Sequence, residues 1–373
     1  MKQTIKKSQS RTTQVRVPNA DNQPICAVIG MDLGDKQSRY CLLVLEGACL
    51  GEGSVSTKAE AFRTLWGRTS RMRIALECGT HSPWISRVLE ELGHEVIVAN
   101  PRKLRLLSES NRKNDKADAR TLAKLAQAAP DLLAPVPHRS EQVQCDLVLI
   151  KAREAAVRSR TALISAIRGL VKSSGSRLAV CSTGAFADRA FQSCPAALRS
   201  ALLPLLRIVE QLTAEIRGYD QEIATKAKKE YPSSSAILTI PGVGPLTALT
   251  FILLMNNDPR RIPKSRDLGC YFGLQPKQQD SGKHVSQLGI TKAGDGLMRK
   301  LAVQCSHFLL GKFGEDSDLK RWGLALSLRG GKNAKKRAVV AVARKLLILM
   351  HRLWKRQESF VPFHKAKRES QAA

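Results

Sequence analysis

ICAVIGMDLGD, residues 25–35, runs an apolar stretch into an aspartate and a glycine-containing turn, and SRYCLLVLEGACLGEGSVS, residues 38–56, repeats the apolar runs and turns. Together they read as two or three consecutive strands in a hairpin or meander. Asp32 ends the first strand, with Gly34 close behind it to let a backbone or a phosphate approach. A turn-capping aspartate is the plain alternative. Further along, KAEAFRTLWGR (58–68) predicts an amphipathic helix, RMRIALECG (71–79) a strand, SPWISRVLEELG (82–93) a helix and HEVIVAN (94–100) another strand. Pro83 suits a first helical turn. Strands alternating with helices imply parallel crossovers and an α/β layer structure. Glu77 closes a short apolar strand much as Asp32 does.

The next informative stretch, NRKNDKADAR at 111–120, sets Asp115 and Asp118 among Arg112, Lys113, Lys116 and Arg120. At i,i+3 spacing the two carboxylates share one helix face. They can grip a common divalent cation there while the neighbouring cations hold a polyanion. Mg2+ suits such a site, because it binds through one or two carboxylates and keeps other positions for water and phosphate oxygens. A solvated helix face with local ion pairs fits the same spacing. A helix, ADARTLAKLAQAA, follows and is broken by Pro130, Pro135 and Pro137. Asp32, Glu77, Asp115 and Asp118 thus come in the order of a ribonuclease H-like layout, in which four acids converge on two metal ions for in-line attack at a phosphodiester.

Composition points the same way. The 373 residues carry 61 Lys plus Arg against 32 Asp plus Glu, a formal net charge of +29. That excess favours phosphate-rich partners, and no apolar run reaches the roughly 18–20 residues of a spanning helix. With no apolar h-region after the basic N-terminus, the expected location is the cytoplasm, away from any membrane. The nine cysteines include no CxxC pair, and Cys26, Cys41, Cys78 and Cys305 lie within apolar patterns. They read as buried reduced thiols, with no zinc site expected.

Residues 1–23 read as a disordered basic tail. The middle of the chain is helical: Leu198, Leu202, Leu205, Val209, Leu212, Ile216, Tyr219 and Ile223 form a heptad seam, and a weaker one runs from about Glu141 to Val171. Pro204 predicts that the continuous second helix starts near that residue. Two such helices make either an antiparallel hairpin or a dimerising coiled coil. AILTIPGVGPLTALTFILLM (236–255) has the form of a helix-hairpin-helix, whose turn at Gly242 and Gly244 offers backbone N–H groups to a phosphate; a tight turn without ligand is the alternative. Residues 268–300 are dense in Gly, Lys and Gln and read as functional loops, with Ser281 near Lys283, His284, Lys292 and Arg299. The last helix is basic: from Lys332 onward there are 12 Lys plus Arg against 2 Glu, with Lys335, Lys336 and Arg337 on a phosphate-contacting face. Val339, Val342, Leu346, Leu347 and Leu349 are its core anchors.

Over roughly residues 25–355 the motifs GMDLGD, ALECGT, HEVIVANPRKLR, KNDKADA, IPGVGPLTA, YFGLQPKQQDSGK, GITKAGDGLMR and KRAVVAVARKLL resemble those of the DEDD transposases of bacterial insertion sequences. These are bridge-RNA-guided recombinases related to Piv-type DNA invertases. The resemblance implies an α/β plus α chain: a RuvC/ribonuclease H-like catalytic domain at 24–138, a helical coiled-coil region at 139–232, and a mostly helical transposase domain with helix-hairpin-helix at 233–358, before a basic tail at 359–373. It implies an acidic tetrad of Asp32, Glu77, Asp115 and Asp118 binding Mg2+, and a nucleophilic serine at Ser281, which the residues alone do not single out. Lys113, Lys116, Gly242, Gly244, Lys283, Lys292, Arg299, Lys335, Lys336 and Arg337 are the candidates for holding nucleic acid. Donor and target DNA, a guide RNA and further copies of the chain, as a dimer or tetramer, are the implied partners. ECGTHS departs from relatives that carry Thr-Gly just after the residue following the glutamate. A junction resolvase or ribonuclease H-like nuclease would use the acids with water and dispense with Ser281. An architectural binder would need only the charge and the hairpin.

Overall fold

Ala27–Asp32 (β1) is buried along nearly its whole length because neighbours cover it on both faces and both edges. A computed structural model describes residues 24–101, 115–281 and 284–364; the side chains of 115, 116, 279–281 and 284–287 lie outside the described part. The N-terminal tail at 1–23, Arg112, Lys113, Gly282, Lys283 and the chain beyond His364 lie outside it altogether. Two units divide between Arg139 and Ser140.

In the first unit β1 pairs antiparallel with Gln37–Val44 (β2), which pairs antiparallel with Cys49–Ser56 (β3). The chain crosses through Ala59–Trp66 (α1) to Arg73–Glu77 (β4), parallel to β1, and through Ser82–Glu91 (α2) to Glu95–Ala99 (β5), parallel to β4. The sheet order is β3-β2-β1-β4-β5. Period-two alternation decides which residues meet which layer. Ala27, Ile29 and Met31, with Ile74 and Leu76, join Phe62, Trp66, Ile85 and Leu89 of α1 and α2. Val28 and Ala75 face the opposite way, against Leu122 and Ala126 of Asp115–Ala128 (α3).

The second unit is helical apart from one hairpin. Glu141–Ser173 (α4) packs on Ala196–Lys229 (α6), with Phe186–Ser193 (α5) near their far end. The seam is therefore filled within the chain. Its buried line runs through Leu202, Leu206, Val209, Thr213, Ile216, Ile223 and Ala227, so Leu206 and Thr213 go inside where Leu205 and Leu212 were expected. The expectation from Pro204 is corrected as well: α6 begins at Ala196 and runs through it. Proline removes one intrahelical hydrogen bond; Leu202 and Leu206, buried against Ile164, Ile167 and Phe186 on either side of it, hold the helix together.

Ser235–Leu238 (α7), Pro245–Leu254 (α8), Leu268–Tyr271 (α9), Gly296–Leu310 (α10), Asp318–Ser327 (α11) and Ala334–Arg356 (α12) complete this unit. Its core joins Val143, Leu147 and Ile150 of α4 to α8, α10 and α12. Val339, Val342, Leu346 and Leu347 are buried, and Leu349 is half-buried. The segment read as loops contains two strands, Pro276–Ser281 (β6) and His284–Ile290 (β7), paired antiparallel. Cys41 and Cys305 are buried, whereas Cys26, one residue before β1, is exposed and Cys78, one residue after β4, is intermediate. Among the described residues, no helix is long and apolar enough to cross a membrane.

Candidate active site

β1 and β4 run side by side, and their pairing ends at Met31 opposite Leu76. Asp32 and Glu77 are the next residue on each strand. By alternation both share the sheet face of Val28, Gly30 and Ala75, the face that α3 covers. The two acids line one cleft with Leu33, Asp35, Cys78, Gly79, Thr80 and His81. Asp32 is half-buried and Glu77 exposed, so the cleft opens to water at the strand ends.

Gly30 brings the helix to this place. A Cβ there would stand 2.1 Å from the Ala119 carbonyl oxygen and 2.2 Å from the Ala123 nitrogen, so α3 lies directly on the β1 backbone. Asp118, exposed in the first turn of α3, immediately precedes Ala119, while Asp32 is two residues beyond Gly30. Asp115 starts the same helix. Two further anchors hold α3: Arg120 Nε and Nη2 donate to Glu52 Oε1 on β3 at 2.8 and 2.5 Å, and Arg73 Nη1 on β4 donates to the Ala126 carbonyl at 3.3 Å.

The loops carrying the acids are pinned individually. Thr57 Oγ1 donates to the Gly34 carbonyl at 2.9 Å and lies 2.9 Å from Ser38 Oγ. A Cβ on Gly34 would sit 2.2 Å from the Gln37 carbonyl oxygen, so only glycine fits that turn. Beyond Glu77, Ser82 Oγ accepts from the Gly79 N–H and donates to the Gly79 carbonyl, both at 2.9 Å. Asp35 and His81, which the sequence reading passed over, meet across the cleft, with Oδ1 and Nε2 3.4 Å apart. Trp84 Nε1 donates to His81 Nδ1 at 3.3 Å and orients the ring. Their signal was position, three residues after Asp32 and four after Glu77. Arg39, opposite Asp32 in the β1–β2 register, is a third such residue.

As a donor set, Asp32, Glu77 and Asp118 offer hard carboxylate oxygens beside water, which fits Mg2+ or Mn2+. Cys78 turns to the α1/α2 core.

The remaining candidates belong to the second unit. Ser281 is the last residue of β6, opposite His284. Gly242 has φ +82°, and Phe308 lies against it; Gly244 precedes Pro245 at the start of α8. Lys292 is exposed, with φ +55°. Arg299 Nη1 donates to the carbonyls of Phe272, Ala293 and Gly294 at 3.1, 2.5 and 3.1 Å, which makes it a staple of the 291–295 loop. Lys335, Lys336 and Arg337 are exposed in the first turn of α12.

Comparison with known proteins identifies the chain. Residues 29–175 match the DEDD transposase model of the IS110 group, and residues 234–318 match the transposase model of the IS116/IS110/IS902 family. The transposase for insertion sequence element IS1111A of Coxiella burnetii is 32% identical over 295 residues, covering 76% of this chain and 77% of that protein. The chain belongs to the IS110 family of transposases. The transposase for element IS1328 of Yersinia enterocolitica is 28% identical over 237 residues, 62% of this chain and 69% of its own length. An IS110-family transposase cleaves and rejoins DNA in moving its insertion sequence, and DEDD transposases are generally metal-dependent. The first match spans the acidic cleft and the second spans Gly242 and Ser281.

Proposed function

We propose that this transposase is an RNA-guided recombinase whose RuvC-like first unit holds Mg2+ on Asp32, Glu77, Asp115 and Asp118, and whose Ser281 is the nucleophile. The observation that carries the acidic part is the placement of Asp32 and Glu77 on neighbouring parallel strand ends, with α3 laid across Gly30 so that Asp118 begins on the same face. The bound metal would supply charge neutralisation at the scissile phosphate. The chain's own groups do the rest. The Ser281 hydroxyl gives its proton to water as its oxygen attacks phosphorus, and the bond to the departing DNA oxygen breaks as that oxygen takes up a proton to leave as a hydroxyl. The resulting phosphoserine ester conserves the bond energy, and a DNA hydroxyl reverses the step to rejoin strands.

We assign residues 24–138 to catalysis, 139–232 to a helical coiled-coil region whose seam closes within the chain, and 233–358 to the serine-bearing domain, with a dimer or tetramer as the working assembly. The Gly242–Gly244 turn is read as the helix-hairpin-helix phosphate contact. Three cations in the first turn of α12 oppose the helix dipole, an arrangement that a nucleic-acid phosphate would relieve. Guide RNA would select donor and target DNA by base pairing while the protein reads backbone and shape.

The test is an adduct assay on labelled element-end DNA with magnesium and the RNA that copurifies with the protein. Wild type should give DNA covalently joined to a peptide containing Ser281, and Ser281→Ala should bind DNA normally without forming the adduct. Efficient cleavage by Ser281→Ala, leaving free phosphate ends, would instead establish the water-using nuclease. RNA without enrichment for sequence flanking the gene would remove the guided reading.

A further inference from the structure

Apart from the acidic cleft, one group of metal-ligating side chains stands out among the described residues: Cys41, Cys49 and Glu52, each offering an atom within 4.8 Å of the others. A break in strand register assembles it. Cys41 lies opposite Glu52 and Leu42 opposite Gly51, but Leu43 lies opposite Cys49, so Leu50 is bulged out. In unbroken register Cys49 would face Val44 and project from the other side of the sheet. The bulge instead returns it to the face of Cys41, Leu43 and Glu52, the face covered by Ala119 and Ala123 of α3.

The geometry is that of a chelate. Two thiolates at about 2.3 Å from a tetrahedral zinc ion stand about 3.8 Å apart, and Cys41 Sγ and Cys49 Sγ are 3.9 Å apart. Glu52 is already oriented, since Arg120 holds its Oε1 with two hydrogen bonds, the support that ligating carboxylates usually receive from an outer residue. Charge balances too. Two thiolates and a carboxylate around a dication leave one negative charge, and Arg120 offsets it. Cys41 is fully buried, whereas Cys49 and Glu52 reach solvent and give an ion its way in.

We propose that Cys41, Cys49 and Glu52 bind one zinc-class divalent cation, with water as fourth ligand, which clamps the β2–β3 ribbon to α3 through Arg120. Binding converts two thiols to thiolates and releases two protons. The site differs in kind from the carboxylate cleft, since magnesium is a poor partner for sulfur. A spacing rule based on CxxC misses it because its sulfurs come from two strands and meet only through the bulge.

The test uses the full-length chain, reduced, stripped with chelator and titrated with Co2+ in excess Mg2+ to occupy oxygen sites. One equivalent should produce sulfur-to-cobalt charge-transfer absorption in the near ultraviolet, and Zn2+ should bleach it. Cys49→Ser, at an exposed position, should lose the band with its circular dichroism unchanged, and Cys270→Ser should keep it. Arg120→Ala should weaken affinity by about 10–100-fold. Absence of the band in reduced wild type, its persistence in Cys49→Ser, or isolation of Cys41 and Cys49 as a disulfide with no metal uptake after reduction would each overturn the proposal.

Discussion

The acidic cleft and the serine hairpin are built in opposite ways. Asp32 and Glu77 sit at the ends of two neighbouring inner strands of a five-stranded sheet with helices on both faces, and a backbone contact at Gly30 fixes the helix beside them. Ser281 ends the first strand, PKQQDS, of a ribbon that is two-stranded among the described residues, and that strand contributes mostly polar residues. Holding carboxylates of like charge in one geometry requires rigid support, and a buried sheet provides it. The largest expected effect follows from this difference. Asp32→Asn or Glu77→Gln should lower strand cleavage by roughly 10²–10³-fold or more, the scale for losing one preorganised electrostatic group. Melting temperature and nucleic-acid affinity should hold, since removing negative charge from a chain of net charge +29 does not weaken phosphate binding. A melt that collapses in these variants would make the acids structural and erase the contrast.

The next effect separates scaffold from chemistry. Gly30→Ala places a methyl group 2.1 and 2.2 Å from backbone atoms of α3, which cannot rotate away. Overpacking of this kind costs about 1–3 kcal/mol or more, and displacing α3 moves Asp118, so cleavage and stability should fall together. Gly242→Ala in the second unit meets the Phe308 ring at 2.4 Å and keeps a φ of +82°. A side chain can swing aside, leaving mainly the left-handed backbone cost of about 1–2 kcal/mol. Paired thermal melts and cleavage assays should rank Gly30→Ala as the more damaging on both counts. Equal damage would mean that the PGVG turn is as tightly determined as the strand–helix contact.

Legibility tracked the core. The β-meander, the crossovers and the strand-end positions of Asp32 and Glu77 were readable because alternation of apolar residues records which face is buried. Gly30 was invisible as a helix seat, since a glycine in an apolar run does not declare what approaches it. The register break at Leu50 was hidden for the same reason: alternation reports faces and not the pairing of strands. Pro204 misled because local propensity spoke for a helix start while packing by Leu202 and Leu206 on either side decided otherwise. The β6–β7 hairpin escaped because PKQQDS has no apolar period. Arg299 stood out by charge alone, and its bond to the Phe272 carbonyl, 27 residues away, shows only in the fold.

The smallest expected effect concerns the core of the second unit, remote from any proposed chemistry. His351 is fully buried on α12; its Nε2 donates to the Pro259 carbonyl at 2.7 Å, which requires a proton on that nitrogen, and its Nδ1 lies 2.8 Å from Ser265 Oγ as the acceptor. Burial favours this neutral form of the ring. Burial, helped by the nearby Lys355 charge, holds its pKa below the ordinary histidine value, while the Pro259 carbonyl acts against that shift. The unfolded chain binds this proton below about pH 6.5, whereas the folded chain resists it. Stability is then complete above that pH and is lost as pH falls toward the folded pKa. His94 in the first unit is shifted the same way by burial, so His351 is not alone in contributing this pH dependence. Melting temperature should drop on going from about pH 7.5 to about pH 5.5, by less than either glycine substitution causes. His351→Gln should shrink that drop by removing one titrating group, and should leave adduct formation by Ser281 intact. An unchanged pH dependence in His351→Gln would show that His351 is protonated in the fold, and would reverse the donor assignment at Nδ1.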